Sequence, residues 1–306
     1  MKLALGIKSD PIEYRYSFSW LFDLMKELGV SNLQLGSFFE LYYLDDSYFI
    51  RLRNEAESRG IRIRSCFTAH RELGGFFSGD PDLERVARRC YERYIEIAAL
   101  LGADYVGSNP GSVYRDRMEQ KSLGVSRYVS HMRELTVYAA ELGLLGLTIE
   151  PMSSLAEPPA LPHEIRGLID EINSFQAPLG SPPSRVPARV CGDVSHGLID
   201  RDGYLLHDHE ELFASAIPWM VEFHFKNSDA RYESTFGFGT SAARGVVDLE
   251  RIRRLIDASS GLFPVDEIVG YLEIGGPKLG RDYSDPMLGG MIAESVEAIR
   301  SVFGSI

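Results

Sequence analysis

Leu147-Thr148-Ile149-Glu150-Pro151 is a short apolar run that stops abruptly at an acid and a proline. Three later stretches repeat the plan: Val190-Cys191-Gly192-Asp193, Val221-Glu222-Phe223-His224 and Gly270-Tyr271-Leu272-Glu273. Runs this brief and this apolar read as buried strands of a parallel sheet. Pro151 cannot extend a hydrogen-bonded ladder and fixes where the first run ends. Four strands, taken in chain order, thus finish on an oxygen or nitrogen donor.

Working outward, apolar runs alternate with amphipathic segments along the whole chain. Strands are expected over residues 3–7, 32–35, 61–67, 104–107, 146–150, 189–194, 220–225 and 268–274. Helices are expected over 18–28, 47–58, 81–101, 125–142, 163–175, 210–216, 249–257 and 287–303. In the third helix, Leu83, Val86, Cys90 and Tyr94 recur at the spacing of a buried face. Eight β-α pairs in 306 residues predict an α/β fold, a single (β/α)8 TIM barrel forming one catalytic domain over residues 1–306. A doubly wound sheet is the alternative, but no GxGxxG follows the first strand. The Pro-rich stretch 177–187 lies between a helix and a strand, so it belongs to the face that serves stability. Long segments at 68–80, 108–123, 152–162 and 226–247 follow strands and are the expected functional loops.

Composition narrows the function. A net charge of -12 argues against nucleic acid as a partner, because such binders carry a basic footprint. Three cysteines, odd in number and without CxxC spacing, read as reduced thiols. The apolar run at the start is too short for a signal peptide, and no stretch reaches the length of a membrane span. The expected location is cytoplasmic, with no membrane partner and with homo-oligomers left open.

In a barrel, strand ends converge at the C-terminal face. Glu150, Asp193, His224 and Glu273 would meet there as a divalent-cation site. A buried carboxylate at such a point needs a cation or donors. Three carboxylates and one imidazole suit one Mn2+ ion, with Mg2+, Co2+ or Zn2+ also matching the donor types. Glu222 shares the strand parity of His224, so it either sits deeper with a partner or a bulge intervenes. Residues 226–239 offer Lys226, Arg231, hydroxyls and glycines, a donor set for a phosphate or several hydroxyls. A solvated lid is the plainer reading of the same loop. His70 and Asn109, which follow strands three and four, are candidate substrate contacts at the mouth.

Glu150-Pro151, Asp193-x-x-His196, His224 and Glu273 together resemble the signature of the xylose isomerase-like barrels. The likeness is to the sugar (phosphate) isomerase/epimerase group that includes D-tagatose 3-epimerase. Residues 149–154 and 226–239 further resemble the erythrulose-phosphate epimerases and isomerases. The resemblance implies that Glu150, Asp193, His224 and Glu273 bind one divalent cation. It also implies that His196, Arg231 and Glu157 contact substrate, although the spacing from His224 to Arg231 departs slightly from the family pattern.

The implied activity is epimerisation at C3 of a ketose or ketose phosphate, including a tetrulose phosphate. Proton removal beside a ketone requires an enediolate to be stabilised, for which a cation serves as Lewis acid. Glu150 and Glu273 would act as the acid/base pair. An aldose–ketose isomerase uses the same apparatus at another carbon and is the alternative. An endonuclease IV-like nuclease needs more histidines, and this chain has Asn109-Pro110-Gly111-Ser112 where that family places a histidine. A non-catalytic sugar-binding barrel would not need two opposed bases.

Overall fold

A computed structural model describes residues 1–68, 71–174, 185–240 and 245–306. Its strands are β1 (Lys2–Lys8), β2 (Asn32–Leu35), β3 (Arg62–Thr68), β4 (Tyr105–Ser108), β5 (Gly146–Ile149), β6 (Ala188–Asp193), β7 (Met220–Phe225) and β8 (Glu267–Leu272). All eight are parallel and closed into a barrel, with β1 bonded to both β2 and β8. Leu3 lies opposite Ile268 and Gly6 opposite Asn32, so the sheet has no edge and the doubly wound alternative falls. The helices are α1 (Phe18–Glu27), α2 (Asp46–Ser58), α3 (Pro81–Leu101), α4 (Lys121–Glu141), α5 (Pro162–Asn173), α6 (His209–Ala216), α7 (Leu249–Ala258) and α8 (Leu288–Phe303).

Local chemistry sets the helix ends. Asp80 accepts from the backbone N–H groups of Asp82 and Leu83, Pro81 takes the first helical position, and Gly102 closes α3 at φ +70°. Asp208 and Asp248 cap α6 and α7 in the same way. All six positions of β7 are buried, one face against the lumen and the other under helices.

The structure corrects one helical face. Leu83 and Val86 are 45% and 51% exposed, while Ala87, Tyr91, Tyr94, Ile95 and Ala98 point inward. The period is the expected one but its phase is shifted. The reason is the turn Arg71–Phe77, which packs on the start of α3: a Cβ on Gly75 would stand 2.4 Å from the Leu83 carbonyl oxygen. Residues 108–123 also hold more order than a loop, with a helical turn at Arg115–Gln120 and α4 beginning at Lys121. A small antiparallel hairpin, Leu198–Ile199 with Leu205–His207, follows β6 and was not expected. Most of the Pro-rich stretch 177–187 lies outside the described residues. Among the described residues, no helix is long and apolar enough to cross a membrane.

The N-terminal end of the barrel is shut. The Tyr271 ring lies against Gly6, where a Cβ would come within 2.3 Å of it. A cavity of only about 10 Å³ remains there, beside Arg64, Glu222 and Glu267. Below it, Arg64 donates to Asp104 (2.9 Å) and Glu267 (2.6 Å), while Arg62 and Lys2 take the outer oxygens of the same two acids.

Candidate metal centre and substrate pocket

Glu150, Asp193, His224 and Glu273 come from the ends of β5, β6, β7 and β8, and all four are buried. One ligand atom from each lies within 4.8 Å of the others. His224 Nδ1 stands 2.9 Å from Glu150 Oε1, 3.3 Å from Glu273 Oε2 and 3.8 Å from Asp193 Oδ2. Its other nitrogen, Nε2, donates to Gln34 Oε1 at 2.9 Å. Gln34 in turn donates through Nε2 to Glu222 Oε2 and to Ser65, both at 3.3 Å. Thr148 completes the layer by donating to Glu222 Oε1 at 2.7 Å.

That layer explains Glu222: it sits deeper in the lumen and has partners. The strand register between β6 and β7 also shifts at Val190/Cys191. Burial pushes the Glu222 carboxyl above its ordinary value, against the hydrogen bonds it receives. Burial also pushes the Cys191 thiol well up, so the sulfur 3.4 Å from His224 Nε2 is a neutral neighbour.

Two lysines stand among the acids. Lys226 Nζ is 2.7 Å from Asp193 Oδ2, 3.3 Å from Glu273 Oε2 and 2.9 Å from His196 Nε2. Lys8, at the end of β1 and fully buried, reaches Glu273 Oε1 at 2.6 Å and Asp10 Oδ2 at 3.0 Å. Burial would discharge Lys8, yet Asp10 and Glu273 outweigh it and hold the ammonium charged. Burial would likewise raise the Glu273 carboxyl, but Lys226, Lys8 and His224 hold it well below the usual range. Burial disfavours the charged His224 ring, while Glu273 and Glu150 raise its pKa. Asp193 is set on the outer side by the N–H and hydroxyl of Ser195, both donating to Oδ1 at 2.7 Å.

These residues fit a divalent cation. Both nitrogens of His224 face acceptors, and a neutral imidazole has one N–H to give. With Nε2–H committed to Gln34, Nδ1 presents a lone pair toward carboxylate oxygens, an arrangement that calls for a proton or a cation between them. Asp193 Oδ2 and Glu273 Oε2 are buried without a well-directed hydrogen bond, held only by ion contacts to Lys226 and the neighbouring histidines. Three carboxylates with one imidazole suit a hard or borderline ion.

His196, 8% exposed, donates through Nδ1 to the Pro151 carbonyl at 2.7 Å, leaving its Nε2 lone pair toward Lys226. A cavity of about 280 Å³ opens from this point, with His196, Lys226 and the buried Glu157 in its wall. A larger cavity of about 550 Å³ lies behind the first two strand–helix loops. None of the four convergent residues lines it, and Asp10 is its link to Lys8. Tyr232 closes over the smaller cavity on a left-handed backbone (φ 59°), its ring where a Cβ on Gly197 would be.

Arg231 is not brought to the cluster. It is exposed, its guanidinium donates to Glu233 at 3.2 Å, and it does not line the cavity. The slight change in spacing after His224 carries it outward. Asn109 is buried at the end of β4, with Nδ2 2.7 Å from Met152 Sδ and Oδ1 unpartnered. His70 lies outside the described residues. Lys8 and Gln34 were missed from sequence. A lysine closing the apolar run Leu3-Ala4-Leu5-Gly6-Ile7 is the same signal as Glu150, with opposite charge.

A closed parallel barrel with a buried acid–imidazole cluster at its C-terminal mouth defines the class. The family described as the xylose isomerase-like TIM barrel matches residues 22–263, and the chain belongs to that family. A candidate xylose isomerase from Rhodospirillum rubrum is similar in structure, with a TM-score of 0.80 at 18% identity, over 98% of this chain and 99% of that one. D-psicose 3-epimerase from Clostridium cellulolyticum, solved with D-tagatose, gives 0.71 at 15% identity over 100% of both chains. 3-Keto-D-glucoside 4-epimerase from E. coli gives 0.64 at 13% identity, over 98% of this chain and 100% of that one. No curated protein matches the chain in sequence.

Proposed function

We propose that this chain is a cation-dependent sugar isomerase that epimerises C3 of a ketose. The observation that carries the reading is the approach of Glu150 and Glu273, from β5 and β8, to one imidazole nitrogen at 2.9 and 3.3 Å. The two solved epimerases of the same fold, one of them bound to a ketose, support it. A divalent ion held by Glu150, Asp193, His224 and Glu273, with Mn2+ the best match, would supply Lewis-acid stabilisation of charge developing on substrate oxygens.

The protein's own groups do the rest. One carboxylate takes the proton from carbon and the other returns it from the opposite face, which inverts the centre. Lys8 fixes the outer oxygen of Glu273 at 2.6 Å, leaving Oε2 as the oxygen that faces the site. His196 and Glu157 line the cavity where substrate hydroxyls would lie. The reaction is carried by a single catalytic domain, and the cytoplasm is its proposed location.

The test is proton exchange. Ketoses incubated with Mn2+-loaded enzyme in deuterated water should acquire deuterium at C3, read by NMR. Deuterium at C1 alone would keep the two carboxylates in their roles and make the enzyme an aldose–ketose isomerase. No label in any ketose would overturn the proposal.

A further inference from the structure

The cavity beside the acid cluster has a charge pattern that sugar hydroxyls do not require. Four successive strand–helix loops build it, and hydroxyls from Ser153, Ser154, Ser195, Ser228, Ser234 and Thr235 line it. Arg115, in the helical turn after β4, stands at the rim and donates to Ser154 Oγ at 2.8 Å. Among the described residues no carboxylate pairs with this exposed guanidinium, and Ser154 is its one hydrogen-bond partner. Ser153 Oγ, in the wall of the same cavity, is buried with no hydrogen-bond partner. Arg231, exposed like Arg115, is instead tied to Glu233 and does not line the cavity.

The two acids in the wall do not cancel Arg115. Glu233 is exposed and engaged by Arg231. Glu157 is buried on the inner side. The inner end of the cavity is His196 and Lys226, which already touch Asp193. A substrate spanning the cavity would place its reacting carbons at the cluster and its far end beneath Arg115.

We infer that Arg115, with Ser153 and Ser154, forms a subsite for a terminal anionic group of the substrate, so the preferred ketose carries a phosphate or a carboxylate at the end remote from the reacting carbon. The inference rests on the proposed sugar-isomerase reading for its reacting end, and on the Arg115 geometry alone for its anionic end. A planar guanidinium with neighbouring hydroxyl donors is the chemistry that holds tetrahedral or planar oxyanions.

The experiment compares deuterium exchange into a ketose, its terminal phosphate and its terminal carboxylate, with wild-type enzyme and with Arg115→Met and Arg231→Met. One anionic substrate should exceed the neutral ketose in kcat/KM by roughly tenfold to a hundredfold, the scale of charge-assisted hydrogen bonds. Arg115→Met should collapse that ratio, mainly through KM, and Arg115→Lys should restore part of it. Whichever of phosphate and carboxylate shows the larger ratio names the anion. If the neutral ketose is equally good in wild type, or if Arg231→Met collapses the ratio instead, the subsite is overturned while the isomerase reading stands. If no ketose exchanges, the isomerase reading fails, and titration calorimetry with inorganic phosphate then judges the subsite alone. Binding weakened tenfold or more by Arg115→Met supports it, and binding that is absent or unaffected overturns it.

Discussion

At the floor of the barrel, Arg64 spans Asp104 and Glu267 at 2.9 and 2.6 Å, and each acid has a second basic partner facing solvent. At the mouth, three acids and an imidazole converge within 4.8 Å, all buried, with Lys8 and Lys226 wedged among them. The floor uses charge to close the structure. Its pairs are partly exposed, screened by water and individually worth little. The mouth concentrates charge where desolvation is costly and leaves carboxylate oxygens without directed hydrogen bonds. Folding stability alone does not favour that arrangement, which is why the mouth, rather than the equally charged floor, is the place to look for chemistry.

The sharpest way to break this contrast is to remove one acid at a time. Glu150→Gln and Glu273→Gln should each lower C3 exchange by roughly 10²–10⁴-fold, the range for loss of a general base. Asp104→Asn and Glu267→Gln at the floor should stay within about twofold of wild type, since both are far from the reacting end. Near-normal turnover in both mouth variants would make the cluster a binding site only.

Metal retention should separate the two ends next. Wild-type protein purified without chelator should hold one divalent ion per chain by elemental analysis. His224→Ala should weaken binding at least tenfold to a hundredfold. His131→Ala, which loses a 2.6 Å contact to Glu84 on the barrel exterior, should bind the ion as wild type does. Adding the ion at about a hundredfold over its wild-type Kd should raise Tm more in wild type than in His224→Ala, because a ligand stabilises the state that binds it.

The smallest effect belongs to the floor. Hydrogen bonds from Lys2 and Arg64 hold the Glu267 carboxyl below its ordinary 4.5. A depressed folded-state value means stability that is present above the unfolded value and lost as pH falls through the folded one. Tm should therefore drop below about pH 4.5 by an increment that Glu267→Gln removes. High salt should shrink the same increment. An acid limb identical in the variant would show that these pairs contribute nothing.

Much of the fold could be read from the chain because strand length and helix period are local properties. The four convergent residues were legible for a related reason: each closes an apolar run, and a barrel brings such ends together. What escaped reading depends on distant partners. Gln34 looks like an ordinary polar residue until His224 arrives from 190 positions away. Lys8 gains its meaning from Glu273, 265 positions away. Arg115 was hidden in a stretch taken for loop, and Arg231 was the nearest arginine to a family position although its spacing departs from the pattern. The phase error in α3 came from a turn that covers Ala87 and leaves Leu83 bare.

The Gln34 side chain has a further consequence. Its amide is polar in opposite senses at its two ends, one accepting from the imidazole and the other donating to Glu222. Reversing it would set two acceptors against each other below and two donors against each other above, so the amide is locked in one direction. The orientation of a buried carboxylate's hydrogen bonds is thereby transmitted upward as a choice of imidazole tautomer. Which nitrogen of His224 carries the proton is written one floor beneath the acids, by Thr148, Ser65 and Gln34 acting as a one-way wire. A change there that touches none of the four convergent residues would still turn the lone pair away from them.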